Sequence, residues 1–190
     1  MKVIFEEEKV IKKPGSHFKR AGHIAEEVWA KHINGKILSG SKKTDVEKDN
    51  LFFSVKKGKN IQLLMQVLPN LFRRFGNNDM IEFFKCRQSK CDDNKTLNMA
   101  LNFQNWLENN NNFYDLLRYV LTNDGEVNYL VDMIDTDNQL AFVSKTDDLI
   151  NYLCEIKKDI VTHGASLIVK FKNKSLMTFE WRGSKKCCFI

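Results

Sequence analysis

Apolar residues recur at helical spacing over residues 17–33, where Phe18, Ala21, Ala25, Val28, Trp29 and His32 form one stripe. Ser16 supplies an N-cap before this stretch and Asn34-Gly35 a left-handed stop after it, so the spacing predicts a helix between them. Glu27 and Lys31, four apart, lie on its other flank. Ahead of it, residues 1–11 hold short β-like pieces closed by Pro14 and Gly15. Two strand candidates follow, 37–46 and 51–56, separated by the turn-forming Glu47-Lys48-Asp49-Asn50. Gly58 and Asn60 punctuate, and the pattern over 61–75 predicts a helix kinked at Pro69. Residues 97–107, 113–121 and 147–158 predict three further helices. Residues 166–171 and 175–182 close the chain as a hairpin turning at Lys172-Asn173-Lys174.

The order of elements, helix, strands, helices, strands, predicts an α+β fold, or an α/β core with a helical insertion. With no internal repeat and only two prolines, residues 1–190 are expected to form a single domain whose helical middle spans about 80–158. The hydrophobic fraction of 43% and charged fraction of 28% are those of an ordinary globular chain able to bury a core. No apolar run reaches the roughly 20 residues needed to span a bilayer. Residues 1–13 also lack the apolar region of a signal peptide, so a cytoplasmic protein with no membrane partner is expected.

The five cysteines, Cys86, Cys91, Cys154, Cys187 and Cys188, are odd in number and follow neither a disulfide framework nor a zinc-ligand spacing. The net charge of +6 is unevenly spread. Lys36, Lys42, Lys43, Lys56, Lys57 and Lys59 crowd one stretch, Arg182, Lys185 and Lys186 another, and residues 132–148 between them are acidic. Such a surface suits a polyanionic partner, and a merely solvated face has the same composition.

Chemistry concentrates in Ser41-Lys42-Lys43-Thr44-Asp45-Val46 and Phe52-Phe53-Ser54-Val55-Lys56-Lys57-Gly58. In a strand Ser54 and Lys56 share a face, and a hairpin brings Asp45 alongside them. A carboxylate, a hydroxyl and an ammonium would then converge beside a sheet. Phosphodiester hydrolysis needs such parts: a hard-oxygen ligand for Mg²⁺, a cation near the attacking water, and positive surface for the phosphates.

This pattern resembles the PD-(D/E)xK nuclease superfamily, and in particular its restriction-endonuclease-like enzymes. The resemblance runs over about residues 17–68. It implies a mixed central sheet flanked by helices, with Asp45 as the metal-binding aspartate and Lys56 as the lysine that positions or polarises the attacking water. An acid on the preceding helix, Glu27 or its neighbour Glu26, matches a position where the family often carries one. Two departures stand out: Thr44 replaces the proline, and Ser54 replaces the acid two residues before the lysine. Some family members with Ser-x-Lys place the acid on the following helix, where this chain has Gln62 and Gln66 instead. Glu27 is therefore the first choice for a second metal ligand and Glu47 the second. Failing both, Asp45 and the Val55 carbonyl would hold one Mg²⁺ with waters.

The resemblance implies a Mg²⁺-dependent endodeoxyribonuclease acting on double-stranded DNA, most closely a Type II restriction enzyme working as a homodimer. Lys42, Lys43, Lys57 and Lys59 would hold the backbone, and Arg182 would touch DNA from a late strand. The alternative is a nuclease-like module that binds nucleic acid without cleaving it. Arg182 has a plainer reading too, a surface ion pair with Glu180. Phe103, Trp106 and Leu107, at helical spacing, are expected in the core, as are Phe179 and Trp181 by strand alternation. No GxxxxGK[ST], GxGxxG or HExxH occurs, and the terminal Cys187-Cys188-Phe189-Ile190 fits a prenylation box only in outline.

Overall fold

Helix α1 (His17–Ile33) buries Ala25, Trp29 and Ala30, with Val28 half-buried, in a computed structural model that describes residues 17–39, 43–57, 63–135, 140–156, 158–163, 166–182 and 186–189. Ser16 and the β-like pieces of residues 1–11 lie outside the described residues, as do the side chains of Phe18 and Ala21. Asn34 ends α1 at φ 54°, and the Gly35 N–H donates to the Ala30 carbonyl at 2.8 Å. A Cβ at Gly35 would come within 3.0 Å of the Glu47 carbonyl and of Val46 Cγ1, so a glycine lets the chain turn close beneath the next strands.

The chain forms two compact units. Residues 1–61 and 121–150 make the first. Its strands are β1 (Lys36–Ile37), β2 (Val46–Lys48), β3 (Leu51–Lys57), β5 (Tyr129–Asp135) and β6 (Leu140–Lys145), in the order β1-β2-β3-β5-β6, after β4 (Leu64–Val67) is counted in the other unit. All pairings are antiparallel except β3 with β5, which is parallel. The sheet is therefore mixed, and with α1 against it the architecture is α+β. Val46, Phe53, Val55, Val131, Met133 and Ala141 pack with Ala25, Trp29 and Ala30 into one core.

The β2–β3 connection is a two-residue turn, Asp49 at φ 51° and Asn50 at φ 60°. Positive φ at both central residues matches the right-handed twist of the flanking strands, and Asp and Asn tolerate it. The predicted strand over 37–46 is shorter in fact: β1 ends at Ile37 and β2 begins at Val46, with residues 40–42 outside the described set. Asn128 ties β5 to β3. Its side-chain carbonyl accepts from the Phe52 N–H at 2.8 Å, and its own N–H donates to the Phe52 carbonyl at 2.9 Å. Thr146 closes the same corner by donating its hydroxyl to the Val127 carbonyl at 2.7 Å.

Residues 62–120 and 151–190 make the second unit. Its sheet joins β4, β10 (Lys186–Phe189), β9 (Lys174–Arg182), β8 (Ser166–Phe171) and β7 (Asp159–His163) in that order, all antiparallel. The β8–β9 turn falls at Lys172 and Asn173, again both at positive φ, where the sequence places it. Helices α2 (Leu68–Phe75), α3 (Asp79–Ser89) and α4 (Asp93–Glu108) belong here, while α5 (Asn110–Thr122) and α6 (Thr146–Glu155) run across the boundaries of the division. Asn78 caps α3 and Asp92 caps α4, each accepting a backbone N–H of its first turn.

Three expected elements differ in the structure. Residues 61–75 are not one kinked helix: β4 comes first, and α2 starts at Leu68 with Pro69 in its first turn, where a missing N–H is harmless. Gln66 consequently lies in a strand, accepting from the Asn70 side chain at 2.7 Å, and Gln62 lies outside the described residues. The helical middle is likewise interrupted by the β5–β6 hairpin, because Val131 and Met133 alternate with Leu130 and Asp132 at strand period. The helix predicted over 147–158 ends at Glu155, and β7 follows from Asp159.

Candidate functional site

Asp45 stands immediately before β2, held there by its own N–H, which donates to the Phe53 carbonyl at 2.8 Å. That places its carboxylate beside the middle of β3. One oxygen, Oδ2, accepts three donors: the Val55 N–H at 2.6 Å, the Lys56 Nζ at 3.1 Å and the Ser54 hydroxyl at 3.3 Å. Lys56 Nζ also donates to the Val55 carbonyl at 3.2 Å. The side chains of Asp45 and Lys56 are 15% and 18% exposed, so the pair is largely shielded yet still reachable from solvent. Ionised partners in a shielded setting make the stronger class of hydrogen bond.

The face of the sheet follows from alternation. Phe53 and Val55 point to the α1 core, while Ser54, fully buried, and Lys56 point to the other side with Asp45. The sequence brought together Asp45, Ser54, Lys56 and the Val55 carbonyl, and the structure does so as well.

Lys43 belongs to the same cluster. Burial pushes its ammonium down to about 7, the charge of Lys56 adds to that fall, and Asp45 opposes it. Sequence reasoning assigned Lys43 to backbone contact and had no means of seeing this, because the shift arises from burial and from a neighbour thirteen positions away.

Other expected site residues lie elsewhere. Glu27 is exposed on α1, which packs on the face of Phe53 and Val55, and no described hydrogen bond or ion pair links it to Asp45 or Lys56. Glu26 pairs instead with His23 at 3.2 Å. As the metal ligand first chosen from sequence, Glu27 is thus on the wrong side of the sheet, a consequence of helix packing that spacing alone does not reveal. Glu47, by alternation with Val46, shares the face of Asp45 but sits opposite Phe52, away from Lys56. Lys57 projects to the side of Val55. Lys42 and Lys59 lie outside the described residues. Arg182 is in the second unit, where its Nε donates to Glu180 at 2.6 Å, the surface pair that alternation allows.

One carboxylate was missed. Asp132 on β5 is in register with Lys56 and therefore shares its face. Its Oδ1 is buried with no hydrogen-bond partner among the described residues, and burial pushes its carboxyl up from the ordinary range. A lone Asp at the polar parity of the strand-like Leu130-Val131-Asp132-Met133 was the available signal.

Among the described residues no three His, Cys, Asp or Glu side chains gather as a metal-holding group. The donors that do gather, the Asp45 carboxylate and the Val55 carbonyl, are hard oxygens. With an orphaned carboxylate oxygen on the adjoining strand, they fit Mg²⁺, which takes one or two carboxylates and keeps several waters. Among the described cysteines, Cys86, Cys91 and Cys154 are free thiols, and Cys187 is buried in β10. No described helix is long and apolar enough to cross a membrane. No protein-family model matches the chain, and a comparison with curated proteins found no match.

Proposed function

We propose that this chain is a Mg²⁺-dependent endodeoxyribonuclease of the restriction-endonuclease-like kind, cleaving double-stranded DNA as a homodimeric Type II restriction enzyme does. The observation that carries this reading is the convergence of Ser54, Val55 and Lys56 on Asp45 Oδ2. It is the arrangement that the Asp…Ser-x-Lys resemblance implies, built on the short hairpin the resemblance requires.

Asp45 and the Val55 carbonyl would hold Mg²⁺. Bound there, the ion would polarise a phosphate oxygen and make a coordinated water more acidic. Lys56, which donates to both of those oxygens, would orient the attacking water and offset charge on the phosphate. Asp45 keeps the lysine beside the site, and entry of Mg²⁺ would require the ammonium to give up at least one of these two oxygens. Of the lysines expected to hold the backbone, Lys42 and Lys59 keep that role in this reading, with affinity falling steeply as salt rises, whereas Lys43 is buried in the cluster and Lys57 projects to the other face. The net reaction adds water across a P–O3′ bond and leaves a 5′-phosphate and a 3′-hydroxyl, as the resemblance implies.

The test is supercoiled plasmid incubated with Mg²⁺ and wild-type, Lys56→Ala or Asp45→Ala protein. Nicking or linearisation by the wild type, lost on the order of a hundredfold or more in both variants, is the expected result. Cleavage that survives both substitutions refutes the site. A second reading, a nuclease-like module that grips nucleic acid without cutting it, is favoured by one observation: position 54 carries a buried hydroxyl where the family carries an acid. DNA binding by a wild type that never cleaves would select it.

A further inference from the structure

We infer that Asp132 is the second acid of this site, supplied by the neighbouring parallel strand in place of the acid missing two residues before Lys56. The inference deepens the nuclease reading and rests on it.

First comes strand register. The Asn128 clamp on Phe52 sets where β5 starts against β3, and from there Ser54 meets Leu130, Val55 meets Val131 and Lys56 meets Asp132. In a parallel pair, partners in register project to the same face. Asp132 therefore stands on the face of Ser54 and Lys56, with Val131 and Met133 turned to the α1 core. Asp45 reaches β3 from the β2 side and Asp132 stands on its β5 side, so the two carboxylates flank Lys56.

Second is the state of the carboxylate. Buried polar atoms are nearly always hydrogen-bonded, and a buried carboxylate oxygen without a donor is strongly unfavourable. Asp132 Oδ1 has none among the described residues. Lys56, the cation nearest in register, directs its ammonium to Asp45 and the Val55 carbonyl. An oxygen kept without a donor is explained if a cation from solution completes it. Mg²⁺ meets such groups directly or through its own waters.

Third, the competing acids are worse placed. Glu27 lies on the helix that covers the opposite face, and Glu47 sits opposite Phe52 at the far end of the hairpin.

The experiment is Mn²⁺ titration of the full chain in the absence of DNA, read by the paramagnetic resonance of free Mn²⁺, for wild type, Asp45→Asn and Asp132→Asn. Wild type is expected to show a saturable site that each substitution weakens tenfold or more. Thermal melting in chelator provides the folding control. Asp132→Asn keeps the side-chain shape and removes the charge from a half-buried carboxylate whose Oδ1 has no donor among the described residues, so it should melt no lower than wild type, and Mn²⁺ should raise the midpoint of wild type but not of the variant. Asp132→Ser gives a second variant with the same expectations for Mn²⁺. Wild-type affinity in both Asp132 variants, with binding lost in Asp45→Asn, overturns the assignment of Asp132 and leaves the nuclease reading standing. A wild type with no saturable Mn²⁺ site overturns both.

Discussion

In the second unit the buried side chains include Phe83, Phe84, Phe103, Phe179 and Phe189, in ring contacts with centroids 5.3–6.1 Å apart. In the first, β3 has Phe53 and Val55 on one face and, on the other, a buried Ser54 and a shielded Lys56 paired to Asp45. Aromatic packing of the first kind contributes stability through buried area and ring geometry. The polar face of β3 adds little by comparison, since desolvating ionised groups offsets most of their mutual attraction. Replacing such groups by apolar ones of similar volume is often neutral or stabilising. Their presence in the middle of a sheet is therefore not required for stability, which is in keeping with the site proposed above. Lys43, with its lowered affinity for a proton, and Asp132, with an oxygen unpartnered among the described residues, extend the same contrast.

The contrast can be broken most directly in the aromatic core. Phe103→Ala, at a fully buried position touching four other rings, should lower stability by about 3–5 kcal/mol in urea denaturation. A loss below about 1 kcal/mol would mean that this core does not hold the second unit together.

Next in size is the effect of Lys43. Its ammonium gives up its proton at about 7 in the folded chain, against 10.5 when unperturbed. Between those values the unfolded chain holds more protons, so stability should rise with pH across that window. Below it the lysine is charged in both states and its burial counts fully against the fold. Lys43→Met should raise stability near neutral pH and flatten the rise, as denaturant midpoints in chelator at pH about 6, 8 and 10 will show. An unchanged slope would place Lys43 in water.

Smallest is Ser54→Ala. It removes one of three donors to Asp45 Oδ2 while Val55 and Lys56 keep theirs, so the change should be about 0.5–1.5 kcal/mol in the same assay. A loss as large as that of Phe103→Ala would erase the distinction between the two regions.

How much of this could be read beforehand depended on distance along the chain. The hairpin carrying Asp45, Ser54 and Lys56 was legible because it is local: a two-residue Asp49-Asn50 turn with positive φ, and alternation that puts residues 54 and 56 together. The stop at Asn34 and the turn at Lys172-Asn173 were legible for the same reason. Nothing local marks residues 64–67 as a strand, because their partner, β10, lies more than a hundred positions away.

Glu27 and Asp132 divide along the same line. Spacing put Glu27 on a helix near the site in sequence, but packing of Trp29 and Ala25 against Phe53 and Val55 fixed which face that helix covers. Asp132 lay in a stretch remarkable only for its acidity until the parallel pairing of β3 with β5 set it level with Lys56. What the amino-acid order determined by itself was the set of short-range geometries, since backbone preferences and side-chain parity act over a few residues. Which acids share a face with the lysine, and which charges are deprived of water, was decided only by the tertiary structure, because burial and strand register are properties of segments brought together from distant parts of the chain.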